Sequence, residues 1–161
     1  MNKEELTFKS QYILQSLAKI DPGFTYNITH DLDNNITGIV LMTSYMRNNF
    51  EKFGNNISID VMKTQVCNAK FCCYIAPVVL NEVWKINVIC EGFVISETHD
   101  AYCFILNFLF KMSPRRKEKG AYAIFSDEFI TKYILNSIGM NETHILWSFS
   151  FKGKSGKISF V

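Results

Sequence analysis

The sequence has no apolar run approaching the ~20 residues that a membrane-crossing helix needs, which excludes a helical span from its reading. It has no C-x-x-C pair. Its cysteines, Cys67, Cys72, Cys73, Cys90 and Cys103, are odd in number and sit mostly inside apolar runs. That points to buried free thiols in a reducing compartment and away from a disulfide framework. The net charge is only +2, so overall charge neither demands nor excludes a nucleic-acid partner, and any electrostatic footprint has to be local. There is no signal-peptide pattern: Met1-Asn2-Lys3-Glu4-Glu5 opens a polar, amphipathic stretch. The N-x-[ST] sequons at Asn27, Asn35, Asn56 and Asn141 therefore read as by-products of an Asn-rich composition, and the expected location is nuclear or intracellular, not secreted.

What is present is a chain of 161 residues, 48% hydrophobic and 14% aromatic, with 14 Phe. That length and composition suit one globular domain with a real core and argue against disorder.

Along residues 4–19, Leu6, Ile13, Leu14, Leu17 and Ala18 recur at helical spacing, with Phe8 and Tyr12 on the other side. Asp21-Pro22-Gly23 ends that helix. Phe24–Thr29 and Ile36–Met42 are β-rich and flank the turn cluster Asp31–Asn35, a hairpin pattern. Ser44–Phe53 reads as a short helix with Tyr45, Met46, Phe50 and Phe53 inward and Gly54 as its C-cap. Three strands are expected next: Ile57–Met62, the almost wholly apolar Phe71–Leu80, and a long Val83–Ile95 after a turn at Asn81-Glu82. Ser96–Asp100 resembles a helix start, and Ala101–Met112 is apolar nearly all round, so that helix should be heavily buried. A charged loop, a strand over Ala121–Phe125, a helix of about a dozen residues capped by Gly139, and a strand over Thr143–Phe151 complete the order.

Three consecutive strands followed by helical crossovers give an α/β protein with a mixed sheet, an antiparallel three-strand meander plus parallel strands, flanked by helices. This order matches the ribonuclease H-like fold. The expected division is an N-terminal helix, hairpin and short helix over 1–54, the core over 55–151, and a polar tail over 152–161.

Within that order, Asp60 and Asp127 each follow a short apolar β-type run, Asn56–Asp60 and Ala121–Asp127. Hard cations such as Mg²⁺ or Mn²⁺ take oxygen ligands, and paired metals on fixed carboxylates cut phosphodiesters. Aspartates after strands are also common turn formers and helix N-caps, and Asp127 precedes a helix, so pattern alone favours the cap.

The flanking residues add a resemblance. Ile20-Asp21-Pro22-Gly23-Phe24 before a hairpin, Met46–Gly54 followed by Ile57-Ser58-Ile59-Asp60, Lys63-Thr64, Ser96-Glu97-Thr98 before an aromatic-rich helix, Phe125-Ser126-Asp127, and Thr143–Leu146 together resemble the transposase domain of Mutator-like elements. They equally resemble its far-red-response and SWIM-zinc-finger host relatives. The resemblance spans about Leu14 to Trp147 and implies a ribonuclease H-like fold, a D-D-E triad and a divalent metal that cuts and joins DNA. It makes Asp60 and Asp127 the first two catalytic, metal-holding members and DNA the partner. A homo-oligomer stays open, and no membrane partner is implied.

The departures carry weight too. The threonine two residues after the first aspartate is missing, and Trp147-Ser148-Phe149-Ser150 stands where the family has C-x-x-H. The third acidic residue would come from a helix beyond this sequence. The expectation is therefore a truncated, inactive descendant. The alternatives are a non-enzymatic DNA- or protein-binding module, with no cofactor, and a fragment without a function of its own.

Other features read as structural. Glu97 suits a helix N-terminus. Arg115, Arg116, Lys117 and Lys119 form a basic loop able to hold phosphates, diluted by Glu118. His99 and Cys103 share a helix face with no second pair to complete a metal site. Gly153–Lys157 lacks the first glycine of a phosphate loop. Trp84, Trp147 and the phenylalanines are expected in the core and not on a stacking platform.

Overall fold

The computed structural model describes residues 3–65, 71–115, 123–126, 132–139 and 144–147. The helices are α1 (Lys3–Ile20), α2 (Ser44–Phe53), α3 (His99–Met112) and α4 (Lys132–Ser137). The strands are β1 (Thr25–His30), β2 (Ile36–Met42), β3 (Asn56–Gln65), β4 (Phe71–Leu80), β5 (Ile86–Val88), β6 (Glu91–Val94), β7 (Ala123–Ser126) and β8 (His144–Trp147).

These strands make one open mixed sheet in the order β1-β2-β6-β4-β3-β7-β8, with β5 on the β6 side of β4. β3, β4 and β6 form an antiparallel meander, while β7 lies parallel to both β3 and β8. The β1–β2 hairpin extends the same sheet through the β2–β6 pair, so the sheet is continuous across position 54.

Local chemistry accounts for the helix ends. Thr43 caps α2 by accepting the Met46 N–H at 3.1 Å, and Thr98 caps α3 by accepting that of Ala101 at 3.2 Å. Gly139 closes α4 at φ 75°, a left-handed position where glycine has no Cβ penalty. Gly54 caps α2 for another reason. Its φ is −72°, and a Cβ there would lie 2.5 Å from the Phe50 ring and carbonyl oxygen.

α3 is buried as its composition requires, with Tyr102, Ile105, Leu106, Phe108, Leu109 and Phe110 all inside. It packs on one face of the sheet against Ile57, Ile59, Ile75 and Val94. The Phe50–Phe110 edge contact, centroids 5.7 Å apart, pins α2 to it, and Ile134 and Leu135 of α4, with Ile138 just after it, join the same core.

Four expectations need correcting. The strand expected over Val83–Ile95 is two strands. Pro77 of β4 stands opposite Ile89 and accepts its N–H at 2.9 Å, but has no N–H to return, so the ladder breaks there. The register shifts by one residue between Val78↔Val88 and Ile75↔Gly92, a bulge that turns both Ile89 and Cys90 inward. Second, Trp84 is not in the core: it is 82% exposed on the β4–β5 turn. Third, Tyr45 is not on the inner side of α2 but is 65% exposed. Fourth, Leu14 is buried while Ile13 and Leu17 of α1 face solvent, so the helical spacing there marks a stripe that the described residues do not cover.

Candidate functional site

Asp60 lies in the middle of β3, paired with Ala76 of β4. Ile57 and Ile59 are buried under α3 while Ser58 and Met62 are exposed. Strand alternation therefore assigns position 60 to the face of Ser58 and Met62, opposite the helical layer. That face carries Tyr74, Phe93 and Glu91 on the neighbouring strands. The Tyr74 and Phe93 rings sit 5.1 Å apart, and the Tyr74 hydroxyl donates to Glu91 Oε1 at 3.1 Å. Burial and the Glu91 carboxylate push the Tyr74 hydroxyl up to about 12.

On its other side β3 pairs with β7 in parallel, with Asn56 beside Ala123, Ile57 beside Ile124 and Ser58 beside Phe125. The strand after the α3 crossover is thus the immediate neighbour of the strand that carries Asp60. Asp127, which follows β7 in sequence, lies outside the described residues, as do Arg116, Lys117 and Lys119.

The start of the basic stretch is described. Ser113 ends α3, fully buried, with its hydroxyl donating to Glu51 Oε1 on α2. Arg47, one turn earlier on α2, donates from Nη2 to Thr25 Oγ1 at 3.1 Å. This polar junction fixes the chain two residues before Arg115, whose side chain is exposed.

Glu97 is engaged locally, accepting the Tyr102 hydroxyl at 2.9 Å across the first turn of α3, as a helix-start acid would. Cys103 approaches Ser137 Oγ of α4 at 3.3 Å. No group of three or more His, Cys, Asp or Glu placed to hold a metal occurs among the described residues. A cleft lined by Thr29, Thr37, Ser96, Thr98 and Asp100 opens at the start of α3, away from β3 and β7.

Sequence reasoning passed over the Tyr74–Glu91 pair, because the pairing depends on the β4–β6 register and neither residue stands in a motif. No described helix is long and apolar enough to cross a membrane. Comparison with protein-family models, with curated proteins and with solved structures finds no match to this chain.

Proposed function

We propose that this chain is a ribonuclease H-like domain of the Mutator-like transposase lineage, in which Asp60 and Asp127 form a two-carboxylate site for Mg²⁺ or Mn²⁺ that faces DNA. One observation carries the reading: the parallel β3–β7 register. Asn56 and Ala123, which are partners, are as far apart in sequence as Asp60 and Asp127, so continuing the register would set the two aspartates side by side. The strand order β6-β4-β3-β7-β8, a meander followed by two parallel strands, supports the fold assignment that the resemblance implies.

A divalent cation bound there would activate a water or hydroxyl and stabilise the leaving oxygen of a phosphodiester. The part of the chain itself would be to hold two anionic side chains near each other, Asp60 on β3 and Asp127 next in sequence after β7. The departures from the family pattern, Met62 where its threonine stands and Trp147-Ser148-Phe149-Ser150 where it has C-x-x-H, support a descendant that binds the cation and leaves DNA uncut.

Calorimetric titration with Mn²⁺ tests the site, with binding expected for the wild type and lost in Asp60→Asn and in Asp127→Asn. No binding by the wild type would sink the proposal. Mn²⁺-dependent nicking of supercoiled DNA, abolished by Asp60→Ala, would overturn the inactive assignment and leave the metal site standing.

A second reading, a DNA-binding module, is favoured by the buried Ser113–Glu51 bond, which anchors the start of a basic stretch whose Arg115 is exposed. Salt-dependent DNA binding that weakens when Arg115, Arg116, Lys117 and Lys119 are replaced by Ala is the expected outcome of that reading.

A further inference from the structure

The face of the sheet opposite α3 carries an apolar row that crosses the strands in register. Met62 of β3 stands opposite Tyr74 of β4, Tyr74 opposite Phe93 of β6, and Phe93 opposite Ile39 of β2. Phenylalanines are expected in the core, but Phe93 is 37% exposed, with Met62 at 55% and Ile95, just after β6, at 48%. The Tyr74 and Phe93 rings, 5.1 Å apart and tilted by 47°, form one aromatic surface. Tyr74 is held in it by its hydroxyl, which donates to Glu91 Oε1 at 3.1 Å.

Such a row can meet an apolar protein surface or the flat face of a base. Two observations favour the base. The Glu91 carboxylate borders the rings. Covering it with an apolar partner would desolvate a charge at a cost, whereas its lone pairs can accept an exocyclic amino group such as cytosine N4. The row also adjoins the candidate site. Asp60 pairs with Ala76, two residues along β4 from Tyr74, so its row is the next one on this face, ~7 Å away along the strands.

We propose that Tyr74 and Phe93 form a stacking platform for an unpaired, amino-bearing base of single-stranded DNA, with Glu91 accepting its amine. Sheet faces that display aromatic rings take unpaired bases in this way, because a base inside a duplex has its faces already stacked. That the ligand is DNA rests on the function proposed above. The platform adds that the strand is single where it crosses β4 and β6, with its phosphates directed toward the cation site at Asp60.

Fluorescence anisotropy at neutral pH tests this, with labelled oligo(dC), oligo(dT) and a duplex of equal length, each with Mn²⁺ and again with a chelator. Oligo(dC) is expected to bind more tightly than the duplex. Phe93→Leu keeps an apolar side chain but removes the ring, and should weaken oligo(dC) binding at least about fivefold in both conditions. Phe93→Trp should retain it. Glu91→Ala should erase the preference for oligo(dC) over oligo(dT). Equal binding of duplex and single strand would overturn the proposal, and so would a Phe93→Leu chain that binds like the wild type. Calorimetric titration with Mn²⁺ separates this proposal from the one it rests on. A wild type that takes Mn²⁺ but no oligonucleotide overturns the platform alone. One that binds oligo(dC) through Phe93 without taking Mn²⁺ supports the platform and overturns the metal site.

Discussion

Tyr74 and Glu91 meet across the β4–β6 pair on the face of the sheet opposite α3, the tyrosine hydroxyl donating to Glu91 Oε1 at 3.1 Å. The bond holds only while the phenol keeps its proton. Burial first, then the neighbouring carboxylate, raise the hydroxyl from its ordinary 10.0 to about 12. The folded-state value is the higher one. The stability it contributes is therefore fully present below pH 10 and is lost as the pH rises toward 12. Replacing Tyr74 by Phe should flatten the alkaline limb of a melting-temperature profile between those values. An unchanged alkaline limb would show that the pair does not couple to folding.

Asp21 provides the acid counterpart. Its carboxylate accepts the Ser44 N–H at 2.8 Å and the Gly23 N–H at 2.9 Å, tying the end of α1 to the start of α2. The Ser44 backbone bond is the main cause that holds its pKa below 3.8. The folded value is the depressed one, so this contribution is present above about pH 3.8 and is lost as the pH falls through the folded-state value. Asp21→Asn should lower the melting temperature at neutral pH and shrink the gap from wild type below pH 3.8. A constant gap across the acid range would rule the linkage out.

At Gly92 the sheet comes close under α3. Gly92 pairs with Val40 and Ile75 on either side, and a Cβ there would collide with Cδ1 and Cγ1 of Ile105, which is buried. Gly92→Ala should cost about 1–3 kcal/mol, the range for overpacking a filled core. Pairing it with Ile105→Val, which removes the colliding Cδ1, should recover part of that loss in urea denaturation. Strictly additive losses in the double variant would mean that the two positions do not share one space.

Elements whose cause is local were legible in the sequence, and those whose cause lies on another strand were not. The Ser44–Phe53 and Phe71–Leu80 ranges follow from residue spacing and from the turn and cap residues beside them. The adjacency of β3 and β7 follows from a general rule, that a helical crossover returns a strand beside its predecessors. The break at Ile89-Cys90 is set by Pro77, twelve positions earlier on the strand opposite, and no pattern within Val83–Ile95 announces it. Helical spacing in Ser44–Phe53 and the apolar run around Trp84 place Tyr45 and Trp84 inward. That assumption fails where a tight Asn81 turn or the register of α2 carries a ring outward. For the candidate site, the sequence located the strand of Asp60, but the β3–β7 register could come only from the fold.

That register makes a prediction about charge. If the chain continues past Ser126 in that register, as proposed, Asp60 and Asp127 would stand opposite each other, and like charges so placed destabilise a sheet. Without a cation, neutralising one of them should therefore stabilise the fold, a direction contrary to that of most substitutions. Asp60→Asn should raise the melting temperature in the presence of a chelator, by an amount corresponding to about 0.5–1 kcal/mol. Adding Mg²⁺ or Mn²⁺ should raise the melting temperature of the wild type, because a ligand that binds only the native state stabilises it, and should leave Asp60→Asn unmoved. Asp127→Asn should behave in the same way, and the double variant should gain little over either single one, since the repulsion is already gone. Stabilisation that adds fully in the double variant would mean that the two aspartates act on separate parts of the sheet. A wild type indifferent to the cation would remove the reason to call them a metal site.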